Sequence, residues 1–257
     1  MNPIIAKYLA WVSIAGATTA LILLAVAPLG WRLGVWHFRT AFYRLMAASA
    51  YLAAGSALAS VVAIGLGWNT LEAREIARTG IALTLGLLLA YVPWQYKRTL
   101  ERLPKIHDIT TDTVDPPSFQ AVLAAREAES ASPVMYDGAE IARQQQSAYP
   151  DLEPLETSLA PQEAFRRALQ AAEAMPNWTL LVQDSAVLVQ DSAVGRIEAT
   201  QKSFWFGFSD DIAIRVAANG SGSRIDMRST SRQGRSDFGV NAARIRAYFA
   251  ALKSRLR

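Results

Sequence analysis

The sequence predicts a multi-pass α-helical membrane segment of three spans, followed by a soluble α+β domain with an antiparallel sheet and helices on one face. Two observations predict this division of the 257 residues. The first hundred residues hold three long apolar runs without charge. The remainder has apolar residues at helix or strand spacing. The expected domains are residues 1–105, a partly helical lead-in over 106–157 and the α+β domain over 158–257.

Three uncharged runs are long enough to cross a bilayer as helices. They cover residues 8–31, 45–71 and 79–96, with lengths of 24, 27 and 18 residues. A helix needs about 20 apolar residues to span the hydrocarbon core, with a lower limit of about 17. Spans are therefore expected at about 8–31, 45–68 and 79–96, and Trp and Tyr residues near their ends fit an interfacial belt.

Small residues recur at every fourth position of the second span, at Gly55, Ala59, Ala63 and Gly67. Such a ridge lets another helix approach closely. It predicts either a dimer face or packing against the other two spans of the same chain.

Basic residues bear on location, which we expect to be the plasma (bacterial inner) membrane. Three spans put the first loop and the soluble domain on one side with seven Lys and Arg, against three on the other side. This excess favours a cytoplasmic domain by the positive-inside rule.

Charge and composition exclude several classes of function. Residues 1–105 carry a net charge of +7, residues 106–195 of −10 and residues 196–257 of +7, within a total of +4. The acidic and basic segments predict mutual neutralisation, within the fold or across an oligomer, rather than nucleic-acid binding. With no cysteine, disulfides and thiolate chemistry are excluded. No phosphate loop, dinucleotide fingerprint or zinc signature is present, so no cofactor is expected.

The soluble part shows helical and strand periodicity. Short helices are expected at 118–129 and 139–148, then a helix at 161–175, four strand-like stretches at 178–183, 187–200, 203–217 and 223–231, and a closing helix at about 238–256. Alternation within the last two strands predicts a sheet with one buried and one wet face. The aromatic residues of the third stretch are expected in the core: Phe204, Trp205, Phe206 and Phe208.

A heptad is duplicated in this region. Residues 181–187 are repeated identically by residues 188–194. Because an odd insertion within one strand would reverse its faces, we predict a lengthened hairpin near Asp184–Asp191.

A candidate anion site precedes the closing helix. Arginines, hydroxyls and a glycine before a helix N-terminus suit a phosphate, a lipid headgroup or a carboxylate. The candidate residues are Arg228, Ser229, Ser231, Arg232, Arg235 and Ser236. The alternative is structural: Asp237 or Ser236 caps the helix, and the arginines pair with Asp226, Asp210 or the acidic segment.

Catalytic and metal-binding residues are not predicted. His107, Asp108 and Asp112 are the nearest candidates for a hard-cation site, with a turn-rich connector as the alternative. The adjacent acids Asp210 and Asp211 point to opposite faces of a strand and could not act jointly. No serine has a histidine base nearby.

The leading hypothesis is a non-enzymatic module that binds an anionic ligand, a lipid headgroup or a protein partner near the bilayer. The alternatives are a structural or assembly subunit of a membrane complex, including a homo-oligomer, and a membrane-anchored hydrolase of unknown chemistry.

Residues 195–200, 206–216 and 225–246, and above all the run RSTSRQGRSD at 228–237, resemble the family catalogued as domain of unknown function 1499. The runs HDITTD at 107–112 and QQQSAYPD at 144–151 resemble its membrane-anchored branch. The duplicated heptad departs from the pattern. The family has no established activity, so the resemblance implies none. Its single-domain relatives are often exported or lipid-anchored, which implies a periplasmic domain, against the count of basic residues.

Overall fold

The structure, a computed structural model, describes residues 3–136, 138–184 and 194–256. The chain divides into two compact units, Met1–Thr99 and Leu100–Arg257. Most of the predicted lengthened hairpin near Asp184–Asp191 lies outside the described residues.

Three long helices form the first unit. They are α1 Pro3–Arg32, α2 Met46–Gly67 (continuous with a π-helical turn over Thr40–Leu45) and α3 Ala73–Arg102. Each is long and apolar enough to cross a membrane, over Ile4–Arg32, Thr40–Gly67 and Ala73–Thr99. The three predicted spans are confirmed and indicate a membrane protein. The third is longer than its uncharged run, because α3 continues through Arg78 and Lys97, whose long side chains can reach the interface.

The three helices pack through small residues. The hydroxyl of Ser56 donates to the carbonyl oxygen of Ser13 at 2.6 Å. A Cβ atom added to Gly86 of α3 would lie 2.7 Å from the carbonyl oxygen of Ala53 in α2. Close backbone approach and interhelical hydrogen bonds of this kind hold membrane helices together where lipid removes the hydrophobic driving force.

An antiparallel sheet forms the centre of the second unit. Its strands are β1 Asp108–Thr110, β2 Leu155–Thr157, β3 Trp178–Asp184, β4 Val194–Lys202, β5 Ser209–Asn219 and β6 Gly222–Ser231. The spatial order is β1-β6-β5-β4-β3, and β2 also pairs with β6, further along the edge that β1 occupies. The lead-in therefore contributes two short strands that the sequence did not predict.

One face of the sheet packs on α6 Pro161–Glu173 and α7 Val240–Leu256. Ile197, Ile214 and Met227 lie in register on adjacent strands and are fully buried there. Burying an apolar side chain of this size contributes about 1.5–3 kcal/mol. The predicted α+β layout, an antiparallel sheet with packing helices, is confirmed, and its two longest helices lie on this face.

The opposite face is covered by the lead-in, including α4 Leu123–Ala128, while α5 Gly138–Ala148 bonds through Gln145 to β1. Phe119, Val122 and Val134 pack against Ala213 of β5. The prediction of a wet face was therefore wrong. Alternation separated the two faces correctly, but the polar face is buried under another segment of the same chain.

The connection between β4 and β5 also differs from the prediction. The third strand-like stretch was expected from residue 203, but β5 begins at Ser209. The amide of Ser203 donates to the Phe208 carbonyl oxygen at 2.8 Å, and Gly207 has a φ of +67°. This tight turn buries Phe206 but leaves Phe204 97% and Trp205 37% exposed, so the core assignment of these two residues was wrong.

Candidate functional site

In the structure, the six residues of the predicted anion site lie in three different places: the two faces of the sheet and the loop after β6. Arg228 and Arg232 lie on the face that the lead-in covers, where they contact Asp108 and Asp211. Ser229 and Ser231 lie on the helix-packed face, within reach of α7. Arg235 and Ser236 lie in the loop between β6 and α7. The six residues do not converge on one pocket.

Arg228 is bound within the protein on several sides. Its Nε and Nη2 donate to the two carboxylate oxygens of Asp108 at 2.9 and 2.6 Å, a bidentate pair. Nη2 also donates to the Val134 carbonyl oxygen at 2.6 Å. The ring of Phe119 lies 5.0 Å from the guanidinium carbon. Buried and fully surrounded, this guanidinium joins β6 to β1 and to the lead-in.

Arg232 takes part in a buried ion cluster around Asp211, which is 0% exposed. Asp211 accepts from Arg126 Nη1 at 2.6 Å and from Arg232 Nε and Nη2 at 2.9 and 2.8 Å. Arg232 Nη1 then reaches Glu129 at 2.6 Å. Two cations thus meet two carboxylates. This balance matters, because each unpaired buried charge costs several kcal/mol.

A second cluster lies further along the same face. Asp226 accepts from Arg215 at 3.1 Å and from Arg224 at 3.2 Å. The two arginines also contact Asp112 at 3.2 and 2.7 Å, and Arg215 contacts Asp115 at 2.7 Å. The lead-in supplies acids and β5 and β6 supply bases, so these segments neutralise each other inside the fold.

Glu198 anchors the lead-in in a different way. Its carboxylate is fully buried and accepts from the backbone amides of Gln120, at 2.9 and 3.1 Å, and of Ala121, at 2.9 Å. Arg196 lies 3.4 Å from it. Backbone amides preceding α4 are thereby satisfied by a strand side chain.

The candidate cation ligands have other roles. Asp108 and Asp112 are held by arginines, and the carbonyl oxygen of His107 accepts from Ser231 and Asn241 at 3.0 and 2.9 Å. Within the described part of the chain, no group of three or more His, Cys, Asp or Glu residues could hold a metal ion.

A polar cluster on the helix-packed face was not anticipated. Arg244 of α7 donates to Asp210 at 2.6 Å, to Ser229 at 2.8 Å and to Gln201 at 2.5 Å, and also contacts Asn241. Asn241 and Arg244 are polar residues three positions apart on the buried side of α7, just before the buried apolar residue Ile245. That spacing was the sequence signal for this cluster. Asp210 and Asp211 lie on opposite faces, as the strand geometry predicted.

Asp237 caps α7. Its two carboxylate oxygens accept from the amides of Gly239 at 2.9 Å and Asn241 at 2.7 Å. Burial raises the pKa of the Asp237 carboxyl, and the nearby charge of Asp210 acts in the same direction, against those amide hydrogen bonds. The carboxylate is therefore engaged with the helix and is not directed at a ligand.

Arg235 differs from the other two arginines of the predicted site. It is exposed, and no carboxylate among the described residues pairs with it. Ser236 is partly buried and accepts a hydrogen bond from the Phe238 amide at 3.3 Å.

A family model described as a protein of unknown function, DUF1499, matches residues 108–252. No curated protein and no solved structure matches the chain. The matched range begins with β1 and ends within α7, so it contains the sheet, α6, most of α7 and the part of the lead-in that carries the ionic partners. The chain therefore belongs to the DUF1499 family of proteins of unknown function.

Proposed function

We propose that the protein is a membrane-anchored, non-enzymatic module whose soluble domain binds a phosphate-bearing anion through the loop over residues 233–236. A lipid headgroup and a free phosphate share the chemistry that this loop recognises. The observation that carries the proposal is the exposed guanidinium of Arg235, which lacks a carboxylate partner in the described ranges. Guanidinium groups bind phosphate strongly through paired hydrogen bonds.

The surrounding contacts support Arg235 rather than its neighbours. Arg228 and Arg232 have carboxylate partners at 2.6 and 2.8 Å and are buried. An incoming anion would have to displace Asp108 or Asp211 and would leave a buried carboxylate without its cation. Gly234 has a φ of +89°, which favours glycine, and an added Cβ would contact the Ser236 carbonyl oxygen at 3.8 Å; the loop turns here and leaves Arg235 exposed.

The test compares Arg235→Ala with Lys253→Ala, which removes one exposed cation near the other end of α7. Full-length protein is purified in mild detergent, and bound phospholipid is measured by native mass spectrometry. We expect anionic phospholipid to remain with the wild type and Lys253→Ala but to be lost from Arg235→Ala. Competition by inorganic phosphate would identify a free anion as the ligand. Equal lipid and phosphate binding by all three proteins would refute the proposal.

The proposal places the anchor in the plasma (bacterial inner) membrane. The excess of basic residues beside the soluble domain supports the cytoplasmic side. Because the chain has no cysteine, a single Ser221→Cys substitution reports the side directly. An impermeant maleimide that labels intact spheroplasts places the domain outside, whereas labelling only after permeabilisation places it inside.

An assembly role is the second candidate, and the surface of α2 favours it. Ala63 and Gly67 of the small-residue ridge are buried, but Gly55 is exposed with no atom within 4 Å of an added Cβ. An exposed glycine lets a second membrane helix approach closely. Mass measurement in nanodiscs should show a dimer that Gly55→Leu dissociates. A monomeric wild type at low salt would contradict this role.

A further inference from the structure

The outer edge of β1 is closed by a side chain rather than by another strand. The Thr110 amide donates to Gln145 Oε1 at 2.9 Å, and Gln145 Nε2 donates to the Thr110 carbonyl oxygen at 2.7 Å. Gln145 belongs to α5, and both residues are buried. Buried backbone groups need hydrogen-bond partners, and here one side-chain amide supplies both of them.

The two backbone groups of Thr110 point away from the sheet. The residues on either side of it form the ladder with β6. The Ser231 amide donates to the His107 carbonyl oxygen at 3.0 Å, and the Thr111 amide donates to the Met227 carbonyl oxygen at 2.9 Å. Alternate residues of an antiparallel strand direct their peptide groups to opposite sides. Thr110 therefore directs its N–H and C=O groups outward.

Gln145 reproduces the hydrogen bonds of a neighbouring strand. In an antiparallel sheet, a hydrogen-bonded pair of residues exchanges two N–H···O bonds. The side-chain amide of Gln145 makes the same two bonds to Thr110 that an opposite strand residue would make. An edge with such groups free is a template for pairing with another chain, and covering the edge prevents that pairing.

The contacts of α5 hold Gln145 against this edge. Ile141 and Ala148 pack on the margin of the apolar core. Gln146 donates to the Thr113 hydroxyl at 3.1 Å, whereas Gln144 donates within the helix, to Glu140 at 3.0 Å. Of these three consecutive glutamines, Gln145 is the one whose side chain bonds to the backbone of β1.

We infer that Gln145 is an autoinhibitory contact: its amide keeps the β1 edge closed, and without it this edge pairs with the β1 edge of a second copy of the chain. By strand alternation, Asp108 directs its peptide groups outward as Thr110 does. A two-fold axis beside Ile109 would place Asp108 of one copy opposite Thr110 of the other, so the edge is complementary to itself without opposed like charges. Arg228 also neutralises the Asp108 carboxylate. The inference goes beyond the proposed anion site, because the loop over residues 233–236 takes no part in it.

Hydrogen exchange of the wild-type, full-length protein in detergent is the first test. If Gln145 closes the edge, the Thr110 amide should exchange as slowly as the Thr111 amide, which bonds to β6. A Thr110 amide that exchanged at the rate of an unbonded, exposed amide would overturn the inference without any substitution.

The second test is Gln145→Met, which keeps the approximate shape of the side chain and removes both hydrogen-bonding groups. Gln144→Met on the same helix is the matched control. We expect the particle mass of Gln145→Met to double with rising protein concentration, while Gln144→Met keeps the wild-type mass. At dilutions where Gln145→Met keeps the wild-type mass, its Thr110 amide should exchange at least about tenfold faster. Adding Thr110→Pro to Gln145→Met should restore the wild-type mass, because proline lacks the donor that strand pairing needs.

Association through α2 is separated by repeating the mass measurements with Gly55→Leu, in which the doubling should persist. A folded Gln145→Met protein that keeps the wild-type mass at every concentration would overturn the inference, as would one that associates equally with Thr110→Pro. Loss of the near-ultraviolet circular dichroism in Gln145→Met would show that Gln145 maintains the fold itself rather than closing an edge, and would also overturn it.

Discussion

Both faces of the sheet are buried, but one is covered through apolar contacts and the other through ion pairs and hydrogen bonds. The helix-packed face presents Ile214 and Met227, and the face under the lead-in presents Glu198, Asp211 and Asp226. The first face gains stability by removing apolar surface from water, and this effect does not depend on how the contacting groups are oriented. The second must supply every charge with a partner in the correct geometry, because a buried unpaired charge is strongly destabilising.

This difference shows that polar alternation on a strand does not by itself indicate solvent. Asp108 and Glu129 reach strand arginines from more than 100 residues away in sequence. The lead-in is therefore part of the domain, held by ion pairs where the other face is held by apolar packing. We expect the polar face to tolerate truncation of its shared carboxylate, Asp211, less well than the apolar face tolerates truncation of one apolar side chain.

The largest effect is expected for Asp211→Ala. It leaves Arg126 and Arg232 buried beside each other without their shared carboxylate, which should lower the free energy of unfolding by about 3–5 kcal/mol. Urea unfolding of the full-length protein in detergent, followed by near-ultraviolet circular dichroism, measures the change. Trp178, which stacks on Tyr248 at 5.6 Å, provides the signal from the soluble core.

A matched replacement tests whether the lost pairing is the cause. The triple variant Arg126→Met/Asp211→Leu/Arg232→Met removes all three central charges together, and its stability should lie close to that of the wild type. If Asp211→Ala alone lowered stability by less than about 1 kcal/mol, the ion cluster would not be what holds the lead-in.

A smaller effect is expected on the apolar face for Met227→Ala. Removing a fully buried side chain there should cost about 2–5 kcal/mol, towards the low end because flexible neighbours can partly fill the cavity. The same unfolding assay measures it, with Leu181→Ala on an exposed position as the control. A cost greater than that of Asp211→Ala would reverse the proposed order of the two faces.

Local patterns predicted much of the fold. Apolar runs predicted the three spans, and alternation predicted the interiors of β5 and β6. Asp237 was one of the two residues predicted to cap α7, because capping depends on residues adjacent in sequence. Each of these features is set by neighbours within a few positions along the chain.

The ionic face was not predicted, because it depends on partners distant in sequence. Arg228 and Asp108 are 120 positions apart, and a connector with clustered Asp and Thr resembles a solvated loop. β1 and β2 have three residues each, too few for a periodic signal. The Ser203–Phe208 turn resembled a strand for a related reason, since aromatic residues favour strands and only Gly207 indicated otherwise.

An intermediate effect is expected for Glu198→Gln, which keeps the side-chain shape on the polar face. Its carboxylate accepts from the amides of Gln120 and Ala121. The amide side chain retains one acceptor oxygen and loses the charge, so we expect a cost of about 1–3 kcal/mol. Hydrogen exchange should accelerate in residues 118–134 and stay unchanged in α6. Uniform acceleration across both faces would instead indicate global destabilisation.

The smallest effect is expected for Asp151→Ala, which removes an ion pair of good geometry outside both faces. Arg246 contacts Asp151 at 2.6 Å, but the two side chains are 45% and 53% exposed, so the cost should stay below about 1 kcal/mol and shrink in high salt.

The same ion pair should make stability depend on pH. Hydrogen bonding from Arg246 lowers the pKa of Asp151. The pair's contribution is therefore present above the ordinary carboxyl pKa of about 3.9 and lost as the pH falls through the lowered value. Urea titrations at neutral and acid pH measure the stability cost of losing the pair and its dependence on pH, with Arg246→Ala as the reciprocal variant. If Asp151→Ala cost as much as Asp211→Ala, burial would not be what separates structural ion pairs from surface ones in this domain.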